Sequence, residues 1–344
     1  MTYDTVVIGG GPAGLSAATL LARARRKVIV VDAEEPRNAP ADHVHNFLSR
    51  DGSTPEELHR AGCEEVLRYG GEILRGKVIG LDEGFEVRLE GGESRHSRSV
   101  LVATGLRDEL PDIPGVHDQW GSGVLHCPYC HGYEVRDQPI AVVGGSNRPF
   151  TIHQTSLIRQ WSDDVVFFTN GIELSENERL RLDARSVGIV DVPVARIVVQ
   201  DGRVIAIELT NGTVVPRTVV FVGPTFVPND ALLRSIGCTR LDNGWVATDP
   251  TGLTSVDGLW AAGNVSDSPR PAHQFGSRRI EGCNRHQSLP TRTRCDPSRQ
   301  RGLTPPASAE ECVGALFYTC RSGSNTCSIF SRWGVTWGYG KRCG

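Results

Sequence analysis

Near the N-terminus the sequence reads Thr5-Val-Val-Ile-Gly-Gly-Gly-Pro-Ala-Gly14, a β-branched run that breaks into glycines. An alanine- and leucine-rich stretch with helical spacing follows over residues 15–25. A second apolar run occupies residues 27–32 and ends at Asp32. Strand, glycine turn, helix and strand follow one another within about 30 residues, which predicts one βαβ unit.

The glycines of this unit form the pattern Gly-x-Gly-x-x-Gly at Gly9, Gly11 and Gly14. Such glycines let the backbone turn tightly and approach a pyrophosphate, while the helix N-terminus offers free N–H groups to the anion. Asp32, at the end of the next strand, can accept hydrogen bonds from ribose hydroxyls. This context predicts an adenine dinucleotide site, and a glycine turn with a purely structural role is the alternative.

A second unit begins at Pro139-Ile-Ala-Val-Val-Gly-Gly145, with a helix predicted over 152–161 and a strand over 165–169. Its glycine pattern lacks the third glycine, and Pro149 and Phe150 add bulk where a phosphate would approach. No basic cluster suited to a 2′-phosphate follows the strand. The sequence therefore argues against strong NADPH binding, and it leaves open a working nicotinamide site or a degenerate unit kept as scaffold.

Further strands are predicted on either side of the second unit. Segments 77–82, 85–89 and 99–104 alternate like the strands of a meander. Strands predicted at 189–199, 204–209 and 219–223 complete the second unit. Residues 258–264 are predicted to form a last buried strand that returns to the first domain.

Cys127-Pro-Tyr-Cys130 is the segment that predicts chemistry. Two thiols separated by two residues can close a small disulfide ring, and a proline with a following helix N-terminus favours thiolate near neutral pH. His131 comes next and can exchange protons near pH 7. We favour redox chemistry over two other interpretations, a zinc site that lacks a second ligand pair and a pair of inert buried cysteines. A packing or solvated role for the histidine also remains open, and Cys63 and Cys238 are predicted to be small buried side chains.

Composition limits the class of protein. The 344 residues include 37 Lys+Arg, 40 Asp+Glu and 39 glycines. No apolar run approaches the ~20 residues that would span a bilayer, and no basic and then apolar leader precedes Val6. We therefore expect a cytoplasmic protein with neither a membrane nor a nucleic-acid partner.

Taken together, in this order and spacing, four segments resemble the low-molecular-weight thioredoxin reductase family of flavoproteins. They are Gly9-Gly-Gly-Pro-Ala-Gly14, Ala103-Thr-Gly105, Cys127-Pro-Tyr-Cys130 and Leu259-Trp-Ala-Ala-Gly-Asn264. The resemblance covers roughly residues 3–267. Residues 32–46 and 127–134 look most like the branch of small-molecule dithiol oxidases that form disulfides in natural products such as gliotoxin and holomycin. His131 stands where protein-disulfide reductases of the family usually carry Asp, and this difference favours the oxidase branch.

The resemblance implies an α/β fold of two Rossmann-like three-layer domains, FAD as cofactor and a homodimer. The FAD-binding domain, residues 1–112 and 236–267, is then split around an inserted NAD(P)-type domain, residues 113–235, that carries the CxxC motif. The implied catalytic residues are Cys127, Cys130 and His131, and no metal ligand is implied. The implied cofactor contacts are Gly9, Gly11, Pro12, Ala13, Gly14, Asp32, Arg37, Asn38, His45, Val78, Ala103, Thr104, Gly105, Gly263 and Asn264.

The function implied for that branch belongs to antibiotic-type biosynthesis. A small-molecule dithiol reduces the Cys127–Cys130 disulfide through a mixed disulfide, with His131 as acid and base. Electrons then pass to FAD and to O2, and no nicotinamide is needed. One alternative is an NAD(P)H-dependent reductase that acts on a thioredoxin-like protein. Another is an inactive flavin-binding remnant whose C-terminal segment no longer closes the cofactor site.

The sequence departs from the family pattern after Val265. The family continues with an alanine- and glycine-rich helix whose N-terminus faces the flavin, whereas residues 268–344 are basic and cysteine-rich. Back-translation of residues 269–290, read one nucleotide later, permits RAQLISSEAAGSRAAIAINHYL, which resembles the missing helix. We interpret residues 268–344 as an aberrant tail produced by a frameshift near Ser268. A genuine appendage that binds metal or nucleic acid is the alternative, although its cysteines have no paired spacing: Cys283, Cys295, Cys312, Cys320, Cys327 and Cys343.

Overall fold

The computed structural model describes residues 2–267, so the frameshift interpretation of residues 268–344 lies outside the described part of the chain. The first half of that part alternates strands with two helices. In chain order the elements are β1 (Thr2–Tyr3), β2 (Thr5–Ile8), α1 (Pro12–Arg23), β3 (Val28–Asp32), α2 (Pro55–Arg68), β4 (Glu72–Arg75), β5 (Val78–Asp82), β6 (Glu86–Leu89), β7 (Ser94–Ser97) and β8 (Val100–Val102).

The chain then passes through a second set of elements and returns. In order these are β9 (Leu106–Glu109), β10 (Val124–Leu125), α3 (Pro128–His131), β11 (Ile140–Val143), α4 (Arg148–Ile158), β12 (Val165–Phe168), α5 (Glu176–Asp183), β13 (Gly188–Val190), β14 (Val194–Gln200), β15 (Arg203–Leu209), β16 (Val214–Pro216), β17 (Val219–Val222) and β18 (Thr225–Pro228). The last elements are α6 (Ala231–Ser235), β19 (Leu259–Ala261) and a 3₁₀ turn at Gly263–Val265.

A parallel five-stranded sheet lies at the centre of the first domain, in the order β19-β8-β2-β3-β4. Helices α1 and α2 cover one face of this sheet, and the sheet β1-β7-β6-β5 covers the other. Side chains of β2 alternate between these two layers, because Val7 packs with Leu21 of α1 whereas Val6 packs with Val87 of β6. Burial on both faces explains why β2 and β3 are continuous apolar runs in the sequence.

The inserted domain repeats this arrangement. Its parallel sheet has the order β10-β17-β11-β12-β13, with α4 and α5 on one face and the antiparallel sheet β14-β15-β16 on the other. Ile140 packs with Ile158 of α4, and its neighbour Ala141 packs with Ile207 of β15. An antiparallel ribbon of β9 and β18 links the two domains. The predicted α/β fold of two Rossmann-like three-layer domains is confirmed.

Several predicted elements were wrong in detail. The strand predicted at 99–104 was expected in the meander, but β8 instead lies between β2 and β19 in the parallel sheet. The strand predicted at 189–199 is two strands, β13 in the parallel sheet and β14 in the antiparallel one. Helix α2 was not predicted, because Val66 is its only buried residue and most of its other residues are polar. A capping box of Thr54 and Glu57 defines its start instead.

The structure also bears on the domain boundary predicted at residue 235. Helix α6 falls within the range 113–235 predicted for the inserted domain. In the structure Leu233 of this helix is buried in the core of the first domain, together with Val6 and Leu81. We therefore propose that the chain re-enters the first domain through β18, ahead of the predicted boundary at residue 235.

Candidate active site

The glycine turn after β2 packs closely against its surroundings at two of its three glycines. A Cβ added to Gly9 would lie 2.5 Å from the carbonyl oxygen of Ala103, and its φ of +106° is a conformation that favours glycine. A Cβ added to Gly14 would lie 2.0 Å from the carbonyl oxygen of Gly9. At Gly11, the N-cap of α1, no atom lies within 4 Å of the added Cβ. Gly9 and Gly14 thus allow strand and helix to approach each other, and Gly11 leaves open space at the helix N-terminus.

A cleft opens at this helix N-terminus, and part of it is formed by the predicted cofactor residues. Gly11, Pro12 and Asn38 line it on one side, and Leu58 and His59 of α2 line it on the other. The open face of Gly11 and the free N–H groups of the first helical turn match what a pyrophosphate requires. The residues present here therefore fit the dinucleotide part of FAD.

The carboxylate of Asp32 lies beside this turn. Its Oδ1 accepts hydrogen bonds from the backbone N–H groups of Gly10, at 3.1 Å, and Glu34, at 3.3 Å. Its Oδ2 lies 2.8 Å from Nε2 of His59. Sequence reasoning missed His59, because its place in α2 shows no motif and its contact with Asp32 is tertiary.

The remaining predicted cofactor residues fall in four places. Ala13 is the second residue of α1. Residues 103–105 follow β8 directly, and there Thr104 exchanges hydrogen bonds with Asn229. Val78 starts β5 and packs against the core of the first domain. Gly263 and Asn264 follow β19, and Oδ1 of Asn264 is buried without a hydrogen-bond partner among the described residues. An unpaired buried oxygen is costly, so this atom is a candidate acceptor for a bound cofactor.

Two predicted cofactor residues contact the inserted domain and the ribbon instead. Arg37 holds Asp108 of β9 through Nε and Nη2, at 2.6 and 2.7 Å, and its Nη2 lies 3.1 Å from Nε2 of His126. His45 lies between Asp51 and Glu134, at 3.4 Å from each carboxylate. Any contact of Arg37 and His45 with FAD stays a prediction.

The redox motif forms the short helix α3. Cys127 and Cys130 are joined by a disulfide, with Cys127 at the N-cap position. The ring of Tyr129 packs edge-on against Trp161. The backbone carbonyl oxygen of Tyr129 accepts a hydrogen bond of 2.5 Å from Nδ2 of Asn46. The loop that contains Asn46 thus contacts the backbone of the redox motif between its two cysteines.

His131 follows Cys130 directly, as its sequence position implies. Its Nδ1 is buried, and a backbone contact with Cys127 favours the protonated ring. Burial lowers the pKa of His131 below its usual value, although the carboxylates of Glu134 and Asp42 act in the opposite direction. At neutral pH the imidazole is therefore uncharged and can accept a proton.

His126 flanks the motif on its other side, and the sequence analysis did not select it. Its ring stacks on Trp120, with ring centroids 5.4 Å apart, and meets the ring of Phe226 edge-on. Burial lowers the pKa of His126 well below its usual value, and the adjacent Arg37 cation acts in the same direction. The sequence did contain a feature that could have drawn attention to His126: one histidine stands directly before the first cysteine and one directly after the second.

The second glycine turn, after β11, makes contacts with the chain's own groups. The carboxamide oxygen of Asn147 caps α4 by accepting from the N–H of Phe150, and the hydroxyls of Ser146 and Thr225 are hydrogen-bonded. The ring of Phe150 packs edge-on against Phe226, with centroids 5.6 Å apart. Weak NADPH binding at this turn stays a prediction from its sequence.

Among residues 2–267, no helix has the length and apolar character needed to cross a bilayer.

Comparison with known proteins finds that the chain is similar to disulphide oxidoreductases. The sequence profile of the pyridine nucleotide-disulphide oxidoreductase family matches residues 3–278. Thioredoxin reductase aclD of Aspergillus oryzae is 29% identical over 284 residues, which are 76% of this chain and 88% of that protein.

Solved structures agree with this placement. HlmI is 50% identical, with a TM-score of 0.78 over 84% of this chain and 91% of that one. An oxidoreductase from Agrobacterium tumefaciens is 31% identical, with a TM-score of 0.76 over 84% of this chain and 97% of that one. The resemblance predicted from the sequence is confirmed.

Proposed function

Because the chain belongs to the pyridine nucleotide-disulphide oxidoreductase family of enzymes, whose thioredoxin reductase-like members use FAD, we propose that it oxidises a small-molecule dithiol to a disulfide. The observation that carries this proposal is the Cys127–Cys130 disulfide with the uncharged imidazole of His131 beside it. A disulfide next to a proton acceptor is what thiol–disulfide exchange requires.

The proposed exchange proceeds in two attacks. One substrate thiol gives its proton to His131 and attacks the protein disulfide, so that the Sγ–Sγ bond breaks and a mixed disulfide forms. The second substrate thiolate attacks the mixed disulfide and leaves as the cyclic product. Cys127 and Cys130 then hold the two electrons and two protons that the substrate has lost.

Bound FAD would supply the two-electron acceptor that restores the Cys127–Cys130 disulfide, with O2 as the final oxidant and H2O2 as its product. The residues proposed to hold it are the Gly9–Gly14 turn at the pyrophosphate, Asp32 at the ribose and Asn264 near the flavin. The net reaction is dithiol plus O2 giving disulfide plus H2O2.

The second candidate function is an NAD(P)H-dependent reductase of a thioredoxin-like protein, since nicotinamide use is typical of the family. The missing third glycine of the second glycine turn and the bulk of Pro149 and Phe150 favour the oxidase. The sequence after β12 also carries Asn170 and Glu173 rather than a basic cluster, and a 2′-phosphate needs cationic partners. A third candidate is an inactive flavoprotein, and the titration described next distinguishes it from the other two.

Anaerobic titration of the FAD-loaded protein tests these alternatives. Dithiothreitol and NADPH are added separately while flavin absorbance is followed, and air is then admitted. The oxidase predicts bleaching by dithiothreitol, none by NADPH, and one H2O2 per bleached flavin. Bleaching by NADPH would establish the reductase, and failure to bleach with either reagent would support the inactive protein.

A matched pair of variants sharpens the assay. Cys127→Ser removes the exchange disulfide and abolishes bleaching by dithiothreitol. Cys63→Ala removes a free cysteine that lies outside the redox motif and leaves bleaching unchanged. Equal bleaching in both variants would mean that the reagent reduces flavin directly.

Two further properties are proposed by analogy with the family. We infer a homodimer, which light scattering of the purified protein would test. A cytoplasmic location and a role in antibiotic biosynthesis stay predictions from the sequence.

A further inference from the structure

Arg37 connects the redox motif to the cofactor side of the first domain. It lies in the loop after β3, whose residues Pro36 and Asn38 line the cleft at the helix N-terminus. Its guanidinium donates two hydrogen bonds to the carboxylate of Asp108, and the side chain of Asp108 is only 6% exposed. A planar two-point contact of this kind fixes both partners in orientation as well as distance.

The third contact of this guanidinium is with His126. Arginine can only donate, so Nε2 of His126 accepts from Nη2 of Arg37, and the imidazole proton lies on Nδ1. The ring is held between Trp120 and Phe226. The low pKa of His126 is consistent with this arrangement, since a protonated ring could not accept from Arg37.

The backbone of His126 is held as well. Its carbonyl oxygen accepts a hydrogen bond of 2.6 Å from Nε2 of Gln154, a buried residue of α4. This carbonyl belongs to the peptide that joins His126 to Cys127. The ring and the peptide are thus both held, which leaves the first cysteine of the motif little freedom to shift relative to Arg37.

We propose that Arg37 is a positioning residue that sets the placement of the Cys127–Cys130 pair relative to the cofactor cleft by holding His126 and Asp108. This inference rests on the proposed function, in which that pair delivers electrons to FAD. It gives Arg37 a role through His126 rather than through direct contact with the cofactor. Electron delivery is sensitive to such placement, whereas exchange with a small dithiol in solution is not.

The kinetic test separates these two steps. FAD-loaded wild type, Arg37→Met, Arg37→Lys and the control Arg107→Met are mixed anaerobically with increasing dithiothreitol. Arg107 neighbours Asp108 on β9, but its side chain is 59% exposed and pairs with Glu109. We expect Arg37→Met to lower the limiting rate of flavin bleaching at least about tenfold. The dithiothreitol concentration at half-maximal rate should stay within about twofold.

The conservative variant and the control complete the comparison. Arg37→Lys keeps the charge but not the two-point contact, so it should recover only part of the limiting rate. Arg107→Met should match wild type. An unchanged limiting rate in Arg37→Met would overturn the proposal.

A second measurement does not need the flavin to react. Hydrogen exchange of the Cys130, His131 and Gly132 amides reports the order of α3, because each donates to a backbone carbonyl within the motif. We expect exchange at these amides to rise about tenfold or more in Arg37→Met and to stay at the wild-type level in Arg107→Met. Unchanged exchange together with loss of FAD would assign Arg37 to the cofactor and overturn the proposal. If dithiothreitol fails to bleach even wild type, the proposed function fails, and the amide exchange still decides the role of Arg37.

Discussion

Gly11 and Gly14 belong to one sequence motif, yet the structure predicts opposite effects when each is changed to alanine. The Cβ of Gly14→Ala would lie 2.0 Å from the carbonyl oxygen of Gly9. Carbon and oxygen atoms that are not bonded to each other do not approach so closely. Relief requires α1 to move away from the turn. Forced overpacking of this kind costs about 3 kcal/mol, against a gain of about 1 kcal/mol from the better helix propensity of alanine. We expect Gly14→Ala to lower the free energy of unfolding by about 2 kcal/mol.

Gly11→Ala meets no atom within 4 Å, and the Gly11 backbone, with φ −67° and ψ 174°, suits alanine. Its cost to the apoprotein is the weaker capping by alanine, about 0.5 kcal/mol. The methyl group would instead occupy the open space at the helix N-terminus where a pyrophosphate is proposed to lie. We therefore expect FAD to bind at least about tenfold more weakly, which corresponds to about 1.4 kcal/mol.

Urea unfolding of each apoprotein, followed by tryptophan fluorescence, measures the first effect, and titration with FAD, followed by flavin fluorescence, measures the second. Wild-type FAD affinity in Gly11→Ala would refute the placement of the pyrophosphate over this residue. Wild-type stability in Gly14→Ala would refute the packing argument.

Four further predictions concern the redox motif and its histidines. Cys130→Ser leaves Cys127 as a single thiol, so added glutathione disulfide should form a stable mixed disulfide with Cys127 and release one glutathione, detectable by mass spectrometry. In the reduced wild-type protein Cys130 should resolve the same adduct, and equally fast release in the variant would contradict the pairing of the two cysteines in exchange. His131→Gln should slow thiol–disulfide exchange at pH 7 by about 100-fold in stopped-flow measurements, because it removes the proton acceptor. Since burial lowers the pKa of His131, the wild-type rate should lose this base only below the usual histidine value of about 6.5, and an earlier loss would argue against the buried imidazole. His126 titrates at lower pH in the folded protein than in the unfolded chain, so the unfolded state takes up more protons below about pH 6.5 and stability should fall there by up to about 1.4 kcal/mol per pH unit. Urea midpoints between pH 5 and pH 8 should show a smaller slope in His126→Phe, and an equal slope would assign the acid sensitivity to other groups.

Much of the fold could be predicted because its signals are local. The glycine turns, the apolar parallel strands and the CxxC motif each occupy a few consecutive residues, and their backbone requirements can be read directly from residue type. Helix α2 escaped prediction because most of its residues are polar and Val66 is its only buried one, although its capping box is a local signal that the sequence offered. The division of residues 189–199 between two sheets was also missed, because periodicity does not reveal which partner a strand will find.

The candidate site shows the same division. Its chemistry could be predicted from the sequence, because Cys127, Cys130 and His131 lie close together in the sequence and their reactivity follows from residue type and spacing. The contacts of Arg37 were not, because Asp108 lies 71 residues further along the chain and His126 lies 89 residues further. The same holds for His59, which reaches Asp32 only after α2 has packed beside α1. Side chains so far apart in sequence meet only when the sheets and helices assemble, and burial then lowers the pKa values of His126 and His131. Local sequence therefore specified the reactive groups, and tertiary packing decided their neighbours and their protonation.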